Sequence, residues 1–328
     1  MRFAAIACLA SMSLAAAAGA QTELKASHQF PGGKGDVRDE IVQIIAREVE
    51  TANVGLKIQI YPGESLFKAL EQWQALVRGQ LDISVFPLDY ASGRHGEFSA
   101  TLMPGLVKNH DHAKRLNASP FMKDIRAVME NAGVIVLADA WLAGGFGSKK
   151  SCIRDPKDVQ GLKFRSAGRA FAEMWRGAGA SIVSIPSSEV YNAMQTGVVE
   201  ATDTSSGSFV SFRLYEQIKC LTAPGGAALW FMYEPVVMAK KKFDALDKKQ
   251  RDALTAASKK SEEYFDRETR GLDAKMVDAF KKSGVEVVEL TDAQFEAWRE
   301  VARKTSYKVF AEKVKDGDKL IEKALSVK

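Results

Sequence analysis

The sequence predicts an α/β protein of two lobes, and three observations carry that reading. Strand-like stretches at about 23–30, 56–61 and 81–86 alternate with helical ones. Such alternation produces a parallel or mixed sheet covered by helices. The pattern resumes between about 134 and 204. Finally, the 328 residues exceed what one hydrophobic core ordinarily covers.

The elements follow in order. Residues 1–20 read as an export signal. Arg2 supplies the positive start, an apolar run extends from Phe3 to about Ala18, and Ala18-Gly19-Ala20 fits the small-x-small cleavage rule. The run is shorter than the ~20 residues that cross a bilayer. Cleavage would leave Gln21 as the mature start. Cys8, inside the apolar run, sits too early for a lipoprotein cysteine.

After the first strand comes a Gly-rich loop and then a helix over about 36–51. Val37, Ile41, Ile44, Ile45 and Val49 share one face of it. Pro62-Gly63 turns the chain, Ser65 is expected to cap the next helix, and Gly79 ends it. Further strands are expected at 134–138, 163–165, 181–183, 200–204 and 228–239, with helices over about 169–178 and 187–194. Helical spacing of Leu254, Ala257, Tyr264, Phe265, Leu272, Met276 and Phe280 then runs from 248 to 283. At 1.5 Å per residue this spans ~54 Å, more than one lobe's width, so it bridges both lobes or kinks near Gly271. Thr291 and Gln294 form a capping box for a last amphipathic helix with Phe295, Trp298, Val301 and Ala302.

Charge is mild. Removing Arg2 leaves 45 basic against 41 acidic side chains, a net +4. Basic residues are interleaved with acids along the C-terminal helices, which describes solvated faces and not a nucleic-acid footprint. Export would leave two cysteines, Cys152 and Cys220, in an oxidising compartment where pairing is expected.

The segment 158–204 is the most informative. It begins Asp-Val-Gln-Gly-Leu-Lys-Phe-Arg and ends Gln-Thr-Gly-Val-Val-Glu-Ala-Thr-Asp-Thr. It sets Arg165 at the end of a short strand beside a helix start, where a five-donor fork can grip a planar anion. The segment resembles the signature of the periplasmic solute receptors of TRAP transporters. The likeness extends to Leu24-Lys25-Ala26-Ser27-His28, to Val77-Arg78-Gly79-Gln80-Leu81-Asp82-Ile83 and to Phe243-Asp244-Ala245-Leu246-Asp247.

The resemblance implies a periplasmic binding protein fold with mixed sheets, an interlobe cleft and a long bridging helix. It implies that Arg165 clamps a ligand carboxylate. Thr204 stands where many relatives carry asparagine, and residues 142–148 lack the second arginine of many receptors for acidic ligands. A small 2-oxo, hydroxy or aromatic monocarboxylate is therefore expected ahead of a dicarboxylate. Trp141, Trp230, Phe86, Tyr90 and Phe146 are candidates for the walls of the pocket, since ligand sites favour aromatic lining. His28, closing the first strand, is a further candidate.

The expected division gives 21–141 plus about 234–270 to lobe one, and 142–233 plus about 271–328 to lobe two. The receptor is expected to be a periplasmic monomer. It would deliver its ligand to TRAP membrane permease subunits, with no nucleic acid, membrane insertion, cofactor or metal. His110 and His112 flank Asp111 without the spacing or further ligands of a zinc site. Ser65-Leu66-Phe67-Lys68 matches an acyl-enzyme motif whose companion elements are absent. Gly144 to Gly147 fits neither common phosphate loop. The alternative reading is an exported two-lobed hydrolase or other enzyme acting on a carboxylate. It needs a nucleophile–base set that four histidines without a motif do not supply.

Overall fold

The computed structural model describes residues 21–328 apart from Ala167, so the expected export signal lies outside the described residues. Among the described residues, twelve strands follow in chain order. They are β1 (Thr22–Ser27), β2 (Leu56–Tyr61), β3 (Ile83–Val85), β4 (Val134–Ala138), β5 (Trp141–Ser148) and β6 (Lys163–Arg165). The rest are β7 (Ser181–Val183), β8 (Ala201–Ser205), β9 (Cys220–Ala223), β10 (Trp230–Tyr233), β11 (Val236–Ala239) and β12 (Glu286–Glu289).

They form two sheets, one per lobe. The first runs β2-β1-β3-β11-β4, with β1 parallel to β2 and β3, and β11 antiparallel to both its neighbours. The second runs β12-β9-β5-β8-β6-β7, and β10 pairs with β5. Both sheets are mixed, because crossings from the other lobe insert antiparallel strands among those that helices connect.

Helix Val37–Thr51 illustrates how sequence makes these layers. Asp36 caps it by accepting from the Arg38 amide at 2.9 Å. Val37, Ile41, Val42, Ile45 and Val49 are buried against the first sheet's Leu24, Ala26 and Ile58. Each such aliphatic side chain contributes about 1.5–3 kcal/mol on full burial.

Several expectations need correction. Ser65 does not cap a helix, because its amide closes a turn on the Pro62 carbonyl and Glu64 stands at φ 63°. Glu64 Oε1 accepts the Ala69 amide at 2.8 Å instead, ahead of a short 3-10 turn and helix Gln72–Val77. The single strand expected over 228–239 is two strands. Pro235 has no N–H to donate to a ladder, and the Glu234 amide bonds to the Ala140 carbonyl at 2.8 Å. β10 therefore belongs to the second sheet and β11 to the first.

The spacing expected over 248–283 is broken at Arg270 and Gly271. Helix Lys248–Thr269 buries Leu254, Ala257 and Phe265 in the first lobe. Helix Leu272–Lys282 buries Met276 and Phe280 in the second. The bridge is thus kinked where glycine was expected to kink it.

The C-terminus also departs from the expected division. Trp298 and Ala302 lie in the second lobe's core. Phe310, Leu320, Ile321 and Ala324 return to the first lobe and pack with Trp73, Leu76 and Ile125. Helical periodicity records that a face is buried, but not which lobe buries it. In the second lobe Cys152 and Cys220 are bonded, with Cα atoms 5.0 Å apart.

Candidate functional site

Arg165 ends β6, and its side chain is fully buried. Nε donates to the Ile185 carbonyl at 2.9 Å and Nη1 to the Asp203 carbonyl at 2.6 Å. The Asp203 carboxylate lies 3.8 Å from Nη1, and it accepts from Ser166 Oγ at 2.9 Å and Trp175 Nε1 at 2.6 Å. These second-lobe groups fix the plane of the guanidinium. Its remaining edge faces the first lobe, where Nη2 donates to the Tyr90 hydroxyl at 3.3 Å.

Tyr90 also accepts the Ser187 amide at 2.9 Å, and Phe86 packs edge-on against its ring, centroids 6.2 Å apart. Around it, Ser187 Oγ meets Gln29 Oε1 at 3.2 Å and Ser188 Oγ meets Glu64 Oε1 at 3.1 Å. The cleft between the lobes is therefore polar, and Arg165 lies at its second-lobe side.

The other expected site residues divide. Thr204 is buried in β8 opposite Gly145, one residue beyond the carbonyl that orients Arg165. Trp230 starts β10, and its ring lies against Gly144, while Nε1 is buried without a hydrogen-bond partner among the described residues. His28 ends the first-strand segment with Nε2 3.2 Å from Asp39 Oδ1 and its ring stacked on Phe30. Burial raises the Asp39 pKa, but the close His28 imidazole and the hydrogen bond from the Gly33 amide outweigh it and hold the carboxyl low.

Two candidates are occupied elsewhere. Phe146 packs on Trp175 and Trp298, centroids 4.8 and 6.4 Å away, inside the second lobe's core. Trp141 donates to Asn117 Oδ1 at 2.8 Å and packs on Tyr233 in the first lobe's core. Large rings are excellent core fillers, and that use has taken both. His112 accepts from the Lys108 amide and turns Nε2 to the Val327 carbonyl, while His110 packs on Phe231. The two imidazoles therefore serve separate frameworks.

Sequence reasoning missed Arg38. It is fully buried, bonded through Nε and Nη2 to Asp36 at 2.9 and 2.7 Å, and lies over the Phe30 ring at 3.7 Å. Its Nη1 reaches the second lobe's Ser205 at 3.0 Å and Ser208 at 2.9 Å, and Glu234 at 3.2 Å. Burial alone would lower the Arg38 pKa, but Asp36 and Glu234 keep it above its ordinary value. Burial raises Asp36 too, yet the Arg38 charge and bonds hold it low. Glu234 stays raised because burial exceeds what Arg38 returns. The Asp36-x-Arg38 spacing at a helix start was the available signal, since a cap with an arginine two residues on can form a local pair.

Two lobes joined by crossing strands, with a buried guanidinium facing polar groups across their cleft, define a solute-binding protein. Comparison with known proteins gives the family. Residues 39–313 match the model of bacterial extracellular solute-binding protein family 7 (DctP). A solute-binding protein of Albidiferax ferrireducens is 40% identical over 307 residues, 92% of this chain and 91% of that protein. A TRAP periplasmic solute binding protein from Rhodoferax ferrireducens, solved with bound malonate, superposes with a TM-score of 0.89. It is 39% identical, over 93% of this chain and 98% of that one. The C4-dicarboxylate-binding periplasmic protein DctP of Rhodobacter capsulatus is 26% identical, covering 83% of this chain and 80% of that protein. The chain belongs to family 7 of the bacterial extracellular solute-binding proteins, the receptors of TRAP transporters. This is a family of receptors and not of enzymes. No helix among the described residues is long and apolar enough to cross a membrane.

Proposed function

We propose that this protein is a periplasmic receptor that closes its lobes on a small organic carboxylate and hands it to TRAP membrane permease subunits. Residues 1–20 would direct export and be removed. The observation that carries the ligand site is the position of Arg165. It is buried, oriented by the second-lobe carbonyls of Ile185 and Asp203, and turned toward Tyr90 on the first lobe. A carboxylate entering there would exchange the neutral Tyr90 contact for a charge-assisted, two-pronged one. Tyr90, Phe86, His28, Thr204 and Trp230 complete the proposed surroundings.

The proposed ligand class is a small monocarboxylate bearing a 2-oxo, hydroxy or aromatic group. Arg38, the other fully buried guanidinium among the described residues, is already matched by Asp36 and Glu234. It has little charge left for a second carboxylate. One observation favours a second reading, a short dicarboxylate. The Rhodoferax ferrireducens relative, 39% identical, holds malonate. Calorimetry with pyruvate, lactate, benzoate, malonate and succinate separates the two. Monocarboxylate binding supports the first reading, malonate binding alone replaces it with the second, and no binding by any of them overturns both.

A further inference from the structure

Behind Arg165 the chain turns through Ser166 and Gly168 into helix Arg169–Gly177, whose N-cap is Gly168. A glycine cap offers no side-chain acceptor to the first amides of the helix. Its backbone does not demand glycine, since φ is −149°. Room does. A Cβ built on Gly168 would lie 1.2 Å from Asp89 Oδ2. Asp89 follows β3 in the first lobe, and its carboxylate occupies the place where the cap residue of the second-lobe helix would begin its side chain.

The carboxylate is 1% exposed, and neither oxygen makes a hydrogen bond of good geometry among the described residues, although the Arg169 amide and the Ser99 and Ser92 hydroxyls lie close enough to pull on it. Such burial disfavours the charged form strongly. We propose that Asp89 is a positioning residue for ligand capture, filling the cap of the helix behind Arg165 from the opposite lobe, and that it takes up a proton when the lobes close. This rests on the receptor reading above and deepens it. The proton comes from solvent and ends on a carboxylate oxygen of Asp89.

The surroundings favour that outcome. Burial pushes the Asp89 carboxyl up to about 7, against the pull of the Arg169 amide and the Ser99 and Ser92 hydroxyls, and the charge of Asp203 adds to the rise. From β6, Arg165 faces the adjacent Tyr90. From the helix, the Arg169 side chain is exposed and lines a cavity with Ser99, Glu173 and Lys313. The buried guanidiniums Arg38 and Arg165 already stand among Asp36, Glu234 and Asp203. A ligand carboxylate adds one more negative charge to this set, and protonating Asp89 offsets it. The sign follows. A carboxyl whose closed-state pKa is raised favours closure below its open-state value and loses that contribution as pH rises through about 7.

Calorimetry on the mature protein at pH 7, in phosphate and in imidazole buffer, counts protons taken up per ligand. The probes are malonate, pyruvate, lactate, benzoate and succinate. Any probe that binds should carry roughly half a proton into the wild type and none into Asp89→Asn. The wild type should also lose roughly tenfold more affinity than the variant between pH 6 and pH 8. Dividing by the variant removes the probe's own titration. Gly168→Ala, which drives a Cβ into Asp89, should remove the pH dependence as Asp89→Asn does. Equal proton counts and parallel pH profiles in wild type and Asp89→Asn overturn the proposal, whatever the affinity. If no probe binds, the receptor reading fails on those ligands and small-angle scattering decides Asp89. A wild type more compact at pH 6 than at pH 8, beside an unresponsive Asp89→Asn, supports the proposal. Identical responses overturn it.

Discussion

Arg165 and Tyr90 belong to opposite lobes, and Nη2 of one donates to the hydroxyl of the other at 3.3 Å. The contact is neutral on the tyrosine side, while the other hydrogen bonds of that guanidinium among the described residues go to carbonyls of its own lobe, with the Asp203 carboxylate 3.8 Å from Nη1. A rigid cation in the second lobe thus meets an exchangeable partner in the first. Charge-assisted bonds are roughly twice as strong as bonds between neutral groups, so an incoming carboxylate has an advantage over the phenol.

Arg165→Ala should therefore abolish tight binding. Removing one partner of a buried charge pair costs about 3–5 kcal/mol, or roughly several hundred-fold in affinity. Arg165→Lys should recover little, because an ammonium cannot form the two-pronged bond. Titration calorimetry with the best carboxylate probe measures both. Undiminished affinity in the alanine variant would remove Arg165 from the site.

The Arg38 cluster predicts a stability effect with a pH signature. Arg38→Met leaves Asp36 and Glu234 buried without their cation, at a cost of about 3–5 kcal/mol near neutral pH. Asp36 is held low by Arg38, so its share is present above pH about 4 and is lost as pH falls through its folded value. Glu234 is held high by burial and opposes this. The destabilisation should consequently be largest near pH 7 and shrink toward pH 3. Urea unfolding at several pH values reads it, and a pH-independent loss would contradict the account.

Much of this architecture was legible, and the failures share a cause. The helix from Val37, the strand at Val134 and the break at Gly271 depend on periodicity and local chemistry, which a sequence displays directly. β5 was not legible, since Gly144, Gly145 and Gly147 are poor strand formers. They stand there because neighbouring strands and side chains come too close for a Cβ. The return of Phe310 and Leu320 to the first lobe, the role of Arg38 and the core use of Phe146 and Trp141 are equally non-local. The position of Arg165 at the end of β6 was legible because its motif is local, and its partner Tyr90 was named only as an aromatic near a strand end.

Gly144 tests the close approach within β5. A Cβ there would lie 2.1 Å from the Thr204 carbonyl oxygen, 2.5 Å from the Trp230 ring and 2.8 Å from Ser205 Cα. Backbone cannot yield as a flexible side chain can, so Gly144→Ala should cost at least the ~1–3 kcal/mol of ordinary overpacking. Gly226→Ala, with nothing within 4 Å of the new Cβ, should stay within about 0.5 kcal/mol of wild type. Thermal melts of the two variants settle the comparison. Equal melting points would mean that β5 is not clamped.

Cys152 and Cys220 close a loop with a sequence separation of 68. Replacing both with serine should lower stability by about 2–4 kcal/mol, chiefly by freeing the unfolded chain. The urea midpoint should fall while ligand affinity at low denaturant is retained, because Arg165 is oriented by the Ile185 and Asp203 carbonyls and not by the crosslink. An unchanged midpoint would show that the crosslink does not constrain the unfolded state.

Lobe closure is the remaining expectation, and the connections between the lobes are where such a motion should be taken up. The lobes are joined by the crossing from β4 to β5, the crossing at Glu234 and Pro235, the helix break at Arg270 and Gly271, and the return to the first lobe between Ala302 and Phe310. Across the cleft the polar contacts include Glu64 with Ser188, Gln29 with Ser187, Tyr90 with Arg165 and Arg38 with Ser205 and Ser208. Each such bond is worth only about 0.5–1.5 kcal/mol net. A ligand touching both lobes binds the closed arrangement better, and it can shift the population only by that difference in affinity. Small-angle scattering should show a smaller radius of gyration with a saturating carboxylate than without it. Ser187→Ala with Ser188→Ala should weaken affinity several-fold while leaving the fully liganded radius unchanged. An identical radius with and without ligand in the wild type would mean that capture proceeds without closure.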